Sequence, residues 1–356
     1  MNSTDENRSL GVPYNSSNRQ RCMLGGRHFG SSTSDEAQLK ETIEIVYLCE
    51  LSIGFFFQLF NLRVLQRRKI RNATYTHYLR ALSASFLVVI PFLLISNLRE
   101  LNLLPSRTKR SYLVALYYAH VEEYVINVVL FATNVVIAVM AFENLRGLLQ
   151  PLHSIRQKYD QQSRLVLAFI YMFMFVLLLP LALVHTTVGP NCKGEYTVRP
   201  IHINAIVAFR IHVGGCLEAL LLLFVVAIYV SIFMLFKTKL SSHSGELCRH
   251  RQAYRARKAL TTCCGALSAY LISNLLSAAR ETLSVVDFWA PHSTIAHATK
   301  PLLHGRWWLH FQSAANVTLL SNFTLTVVLQ YAVSWHYRCN VRSMIGLSKQ
   351  STLQQH

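Results

Sequence analysis

Charge is scarce in this chain. Only 15% of its 356 residues are Asp, Glu, Lys or Arg, against about 25% in an ordinary soluble domain. Uncharged runs therefore dominate, and no segment between them resembles a water-soluble domain. Acids are scarcest, 17 against 35 Lys and Arg, for a net charge of +18. A cleavable signal peptide is not expected, because the first 40 residues contain no apolar run. The eight cysteines (22, 49, 192, 216, 248, 263, 264 and 339) include no C-x-x-C pair, which removes support for metal-knuckle and thioredoxin chemistry. No internal repeat is evident, which weakens an inverted-repeat transporter. Nor does any catalytic Ser/His/Asp, metal-ligand or phosphate-loop spacing stand out. Neither enzymatic activity nor a cofactor or metal is expected. The last apolar run has no lysine, excluding a retinal Schiff base there, and no proline.

Hydrophobic residues, by contrast, make up 52% of the chain. A hydrocarbon core about 30 Å thick needs roughly 20 mainly apolar residues at helical rise, and only closed backbone hydrogen bonding survives in it. Seven runs qualify, near 43–62, 78–98, 112–142, 165–185, 203–236, 259–279 and 311–335. The expected fold class is an all-α membrane protein: a seven-transmembrane helix bundle over 42–336, between a disordered extracellular tail (1–41) and a cytosolic tail (337–356). The first span then acts as its own signal-anchor. The fifth run is about 50 Å long as a helix, so its first residues project toward water.

Basic residues give the bundle a direction. Segments 63–80, 143–164, 237–258 and 336–356 hold 20 Lys and Arg, against nine in 99–111, 186–202 and 280–310. The positive-inside bias favours an outside N-terminus and a cytosolic C-terminus. Three glycosylation sequons in the tail, at Asn2, Asn7 and Asn15, agree with that direction. Those at Asn72, Asn316 and Asn322 fall in a cytosolic loop or in the membrane and are expected to be empty. Basic loops beside apolar spans make nucleic-acid binding an unneeded explanation of the charge, and acidic lipid headgroups the expected partner.

Charged side chains inside spans cost ~2.5–3.5 kcal/mol each at a helix centre, so each needs a reason. The third run has His120, Glu122, Glu123, Asn127 and Asn134. Positions 120, 123, 127 and 134 share one helical face. That stripe predicts a ligand pocket in the outer half of the bundle, with Glu122 or Glu123 meeting a polar or cationic group; interhelical hydrogen bonding is the other reading. In the fifth run Arg210, Gly214 and Glu218 recur at intervals of four, with His212 nearby. Arg210 either pairs with Glu122 or Glu123 or reaches to the headgroups. Tyr270 and Asn274 in the sixth run are candidates for the pocket floor. Glu50 reads as a helix–helix contact. Cys22 and Cys192, both predicted outside, can pair in an oxidising exterior or remain free thiols. On the inner side Arg251, Arg255 and Lys258 form a basic stripe suited to lipid headgroups or an acidic partner. Cys339 is a candidate for palmitoylation.

With seven spans and an outside N-terminus, the chain resembles a serpentine G-protein-coupled receptor. It departs from the rhodopsin-like pattern. Glu143-Asn144-Leu145-Arg146 stands where Asp-Arg-Tyr is expected, and the sixth and seventh runs lack Cys-Trp-x-Pro and Asn-Pro-x-x-Tyr. The chain is more similar to the nematode chemosensory serpentine receptors of the Sra/Srb/Sre-like superfamily. Ala141-Phe142-Glu143-Asn144 and Tyr159-Asp160 occupy the places of that group's Glu-Arg and aromatic-acidic pairs, with Asn144 replacing the arginine. Leu247, Cys248 and Gln252 retain the outline of its third inner loop. The resemblance implies a plasma-membrane protein, sensory cilia included, that binds an external small molecule or peptide. It implies signalling through a heterotrimeric G protein met by Glu143, Arg146, Arg251, Arg255 and Lys258. A competing resemblance is to insect gustatory receptors, which are ligand-gated cation channels. Thr326 to Tyr331 (Thr-Val-Val-Leu-Gln-Tyr) looks like their last-span motif, but their N-terminus lies inside and they stop soon after it.

Overall fold

A computed structural model of the chain describes residues 34–67, 74–101, 103–105, 111–149, 156–179, 186–190, 196–200, 217–241, 264–283 and 306–345. Two helices come first, α1 (Ser34–Leu65) and α2 (Thr74–Glu100). Next, α3 (Tyr112–Tyr117) passes through a π-helical turn (Tyr118–Glu122) into α4 (Glu123–Leu149). Helix α5 (Arg156–Leu177) precedes an antiparallel ribbon, β1 (Thr186–Pro190) and β2 (Tyr196–Pro200), paired from Thr186 with Pro200 to Pro190 with Tyr196. Then come α6 (Leu217–Ser241), α7 (264–283), α8 (Arg306–Val333) and α9 (Trp335–Met344).

Among the described residues, five helical stretches are long and apolar enough to cross a membrane: Gln38–Leu65, Thr76–Glu100, Tyr112–Arg146, Leu217–Leu235 and His310–Val333. The fold is that of an all-α membrane protein to which one short ribbon has been added. Three boundaries differ from the sequence expectation. Helix α1 starts at Ser34, inside the segment expected to be disordered. Asp35 and Glu36 there suit the positive end of a helix dipole, and the following Ala, Gln, Leu and Lys are good helix formers. The fourth run was expected at 165–185, but α5 covers Arg156–Leu177, with an apolar part of Gln162–Leu177. Leu178 follows in a turn, and residues 180–185 of the run lie outside the described residues. Within the expected cytosolic tail, residues up to Met344 belong to α9. Residues 203–216 and 259–263 of the fifth and sixth runs lie outside the described residues.

The bundle is apolar outward, and its mainly apolar interior also holds polar side chains. Leu165, Phe169, Met172, Phe173 and Val176 are exposed along α5, as are Leu220, Leu223, Phe224 and Phe233 on α6. Gln58, Asn61, Ser83, Asn274, Ser277 and Gln330 are buried. Large apolar faces of this kind suit hydrocarbon rather than water. Helix α1 packs between α2 and α8, and α4 touches α2, α5 and α6. Glycines bring helices close where a side chain would separate them. A Cβ on Gly54 would lie 2.9 Å from Phe323 Cβ, and one on Gly265 only 2.7 Å from the Gln330 backbone nitrogen. Polar side chains then link the helices. Gln58 donates to the Phe323 carbonyl, Tyr124 to the Phe175 carbonyl, and Ser85 and Tyr171 share a hydrogen bond.

At one end, Ser334 caps α9 by accepting from the Tyr337 amide, 3.3 Å away, and the chain leaves the α8 axis. The fully buried Tyr337 donates to Asn61 Oδ1 at 2.7 Å, and Asn61 Nδ2 donates to Ser83 Oγ at 2.8 Å. Arg67 adds a bond to Ser343 at 3.1 Å. These contacts dock α9 against α1, leaving Trp335 and Arg342 exposed. Cys339 is a half-buried free thiol on this helix.

Candidate functional site

At the opposite end, near the start of α1, a cavity of about 480 Å³ opens between the helices. Its apolar floor includes Leu51, Phe86, Phe131, Leu178 and Phe323. The Phe86 and Phe323 rings meet edge to face with centroids 4.9 Å apart. Above the floor the walls are polar: α1 contributes Glu44 and Tyr47, α2 Asn97 and Glu100, and α4 Asn127 and Asn134. Glu218 enters from the first turn of α6, Asn274, Ser277, Arg280 and Glu281 from α7, and Asn316 and Asn322 from α8. Helices from all sides thus contribute polar groups to one space, which no single span could do.

Four carboxylates face one arginine here. Arg280 is committed: its Nη2 lies 2.5 Å from Glu281 Oε1, and its Nη1 donates to Asn316 Oδ1 at 2.6 Å. Glu100 pairs at 3.1 Å with Lys40 on the exposed rim. Glu44 accepts from Asn97 Nδ2 at 2.6 Å, and Glu218 lines the cavity together with Ser277. Neither Glu44 nor Glu218 has a described cation within 4.0 Å.

Of the predicted ligand residues, the structure brings Asn127, Glu218 and Asn274 to this cavity. Tyr270 is fully buried one turn along α7 from Asn274 and does not line it. Glu122 turns toward α2, where its Oε2 lies 3.9 Å from Arg99 Nη1; the Arg99 guanidinium also sits over the Tyr118 ring, 4.4 Å from its centroid. His120 falls in the π turn. Such a turn bonds i to i+5 and takes His120 off the period that places it with Asn127 and Asn134. The Glu123 side chain, Arg210, His212, the Cys22–Cys192 pair and the sequons at Asn2, Asn7 and Asn15 lie outside the described residues, as do Arg251, Arg255 and Lys258. Glu143 and Arg146 are half-buried near the end of α4 and pair at 3.8 Å.

Glu44, Asn97, Arg280, Glu281 and Asn316 were missed. Glu44 and Asn97 sit at span ends, Arg280 lies just past the sixth run, and Asn316 falls in a sequon. A signal for the α7 residues was present, since 270, 274, 277 and 281 keep a helical period. No protein-family model matches the chain, and no curated protein matches it in sequence.

Proposed function

We propose that the protein is a seven-transmembrane chemosensory receptor of the plasma membrane, with its N-terminus outside, that signals through a heterotrimeric G protein. The observation that carries this reading is the polar cavity. It lies within a bundle of membrane-length helices, at the end where the first helix begins, and has the size of a small-molecule site. Helices α5 and α7 supply the fourth and sixth spans beside the five longer ones, the basic-loop count sets the direction, and the resemblance to serpentine receptors supplies the signalling partner. A ligand shifts such a bundle only by binding one arrangement better than another. In this reading Glu143, Arg146 and the basic residues 251–258 face the G protein, and α9 lies along the inner membrane surface, with Cys339 placed for lipidation.

Two measurements test the reading. A glycosidase should shift the mobility of the protein from cells, and the Asn2/Asn7/Asn15→Gln triple variant should remove that shift. An unshifted protein with an N-terminal tag reachable only from the cytosol overturns the receptor reading in favour of the gustatory-receptor-like channel. Ligand-evoked current persisting in cells without G-protein signalling does the same.

A further inference from the structure

The donors and acceptors around the cavity do not balance. Asn97 spends its amide nitrogen on Glu44, at 2.6 Å. Asn274 donates its own to the Tyr270 carbonyl, at 2.9 Å. Arg280 is held by Glu281 and Asn316. What remains on these side chains is acceptor capacity. Asn97 Oδ1 and Asn274 Oδ1 are buried with no hydrogen-bond partner, in residues 5% and 1% exposed. The Glu44 and Glu218 carboxylates add negative charge, which Lys40 and Arg280 offset only from beyond 4.0 Å. A buried acceptor left unmatched is costly, and a buried carboxylate seeks a positive partner.

We infer that the cavity binds a small organic ammonium ion, with the charge set against Glu218 and Glu44 and N–H groups donated to Asn274 Oδ1 and Asn97 Oδ1 once rotation of those buried side chains opens the oxygens to the cavity. The inference rests on the receptor reading and names its ligand class. Size and floor favour an organic cation over a bare metal ion: about 480 Å³ is available, and Phe86, Phe131 and Phe323 offer an apolar seat for a hydrocarbon body. An anion would meet carboxylates and acceptor oxygens, and a neutral alcohol would supply one donor and no charge.

The test uses the full chain in lipid nanodiscs, with thermal stabilisation as the readout. Probes are 2-phenylethylamine and n-hexylamine, the neutral 2-phenylethanol and n-hexanol, phenylacetate, the N,N,N-trimethyl form of phenylethylamine, and sodium chloride at matched ionic strength. The primary amines should stabilise, the trimethyl form less because it has no N–H, and the alcohols, the anion and sodium least. Glu218→Gln keeps the shape and removes the charge, and should weaken amine binding at least about thirtyfold. Asn274→Ala removes the orphaned acceptor and should weaken it. If Glu218→Gln melts well below the parent without ligand, Glu44→Gln takes its place. Equal stabilisation by alcohol or anion, stabilisation by sodium alone, or no response to either amine overturns the inference. Binding in nanodiscs needs neither a G protein nor a particular orientation. A cytosolic N-terminal tag with intact amine binding would therefore sink the receptor reading alone, and preference for phenylacetate with an outside tag the amine inference alone.

Discussion

At Gly265 the backbones of α7 and α8 come close, and replacing it with alanine measures how tightly they are held. The added Cβ would lie 2.7 Å from the Gln330 nitrogen, 2.8 Å from its Cα and 2.9 Å from the Leu329 carbonyl carbon. All three are backbone atoms inside a helix, so no side-chain rotation relieves the overlap. Ordinary contact begins at 3.4 Å, so the helices must part by 0.7 Å (3.4 minus 2.7) along that line. Overfilling a packed interior costs about 1–3 kcal/mol, and alanine recovers up to ~1 kcal/mol of helix propensity over glycine. The expected net loss is about 1–2 kcal/mol, and more for Gly265→Val. Thermal unfolding in nanodiscs, without ligand, reads it as a fall in Tm. Gly189 is the control, because a Cβ there meets nothing within 4 Å. A Gly265→Ala protein at least as stable as the parent would refute the close approach, and the placement of α7 in the bundle with it.

Tyr337→Phe should release α9. It leaves the buried Asn61 without its donor, a loss of about 1–3 kcal/mol, seen as faster amide exchange over residues 335–344; unchanged protection there counts against the docking. Burial also pushes the Tyr337 phenol above its ordinary value of 10.0. The folded state then holds a proton that the unfolded state gives up, so its stabilisation is complete below pH 10 and declines as pH rises beyond it. The alkaline loss of α9 protection should disappear in Tyr337→Phe, and its persistence would assign the titration elsewhere. Arg99→Met should destabilise the protein by removing the guanidinium that lies 3.9 Å from the buried Glu122. Adding Glu122→Gln should recover part of that loss, and strict additivity in the double-mutant cycle would mean the 3.9 Å pair carries no coupling.

The membrane class, and a helix within each of the seven predicted runs, follow from composition and run length, because crossing hydrocarbon is a one-dimensional demand on the chain. Polar residues inside those runs were also legible as inward-facing, as Asn127, Glu218 and Asn274 turned out to be. Which of them share a space was not legible. A helical period says which residues lie on one face and nothing about the partner that face meets. Glu122 illustrates the limit: it read as a pocket residue, yet the π turn and the neighbouring α2 send it to Arg99. The ribbon at 186–200 is another case, since its pairing depends on backbone bonds between separate segments. Sequence by itself determined that this chain is rich in apolar helices of membrane length. Only the tertiary packing decided that Glu44, Asn97, Glu218 and Asn274, from four different helices, face one cavity, because helix rotation is set by what each helix touches.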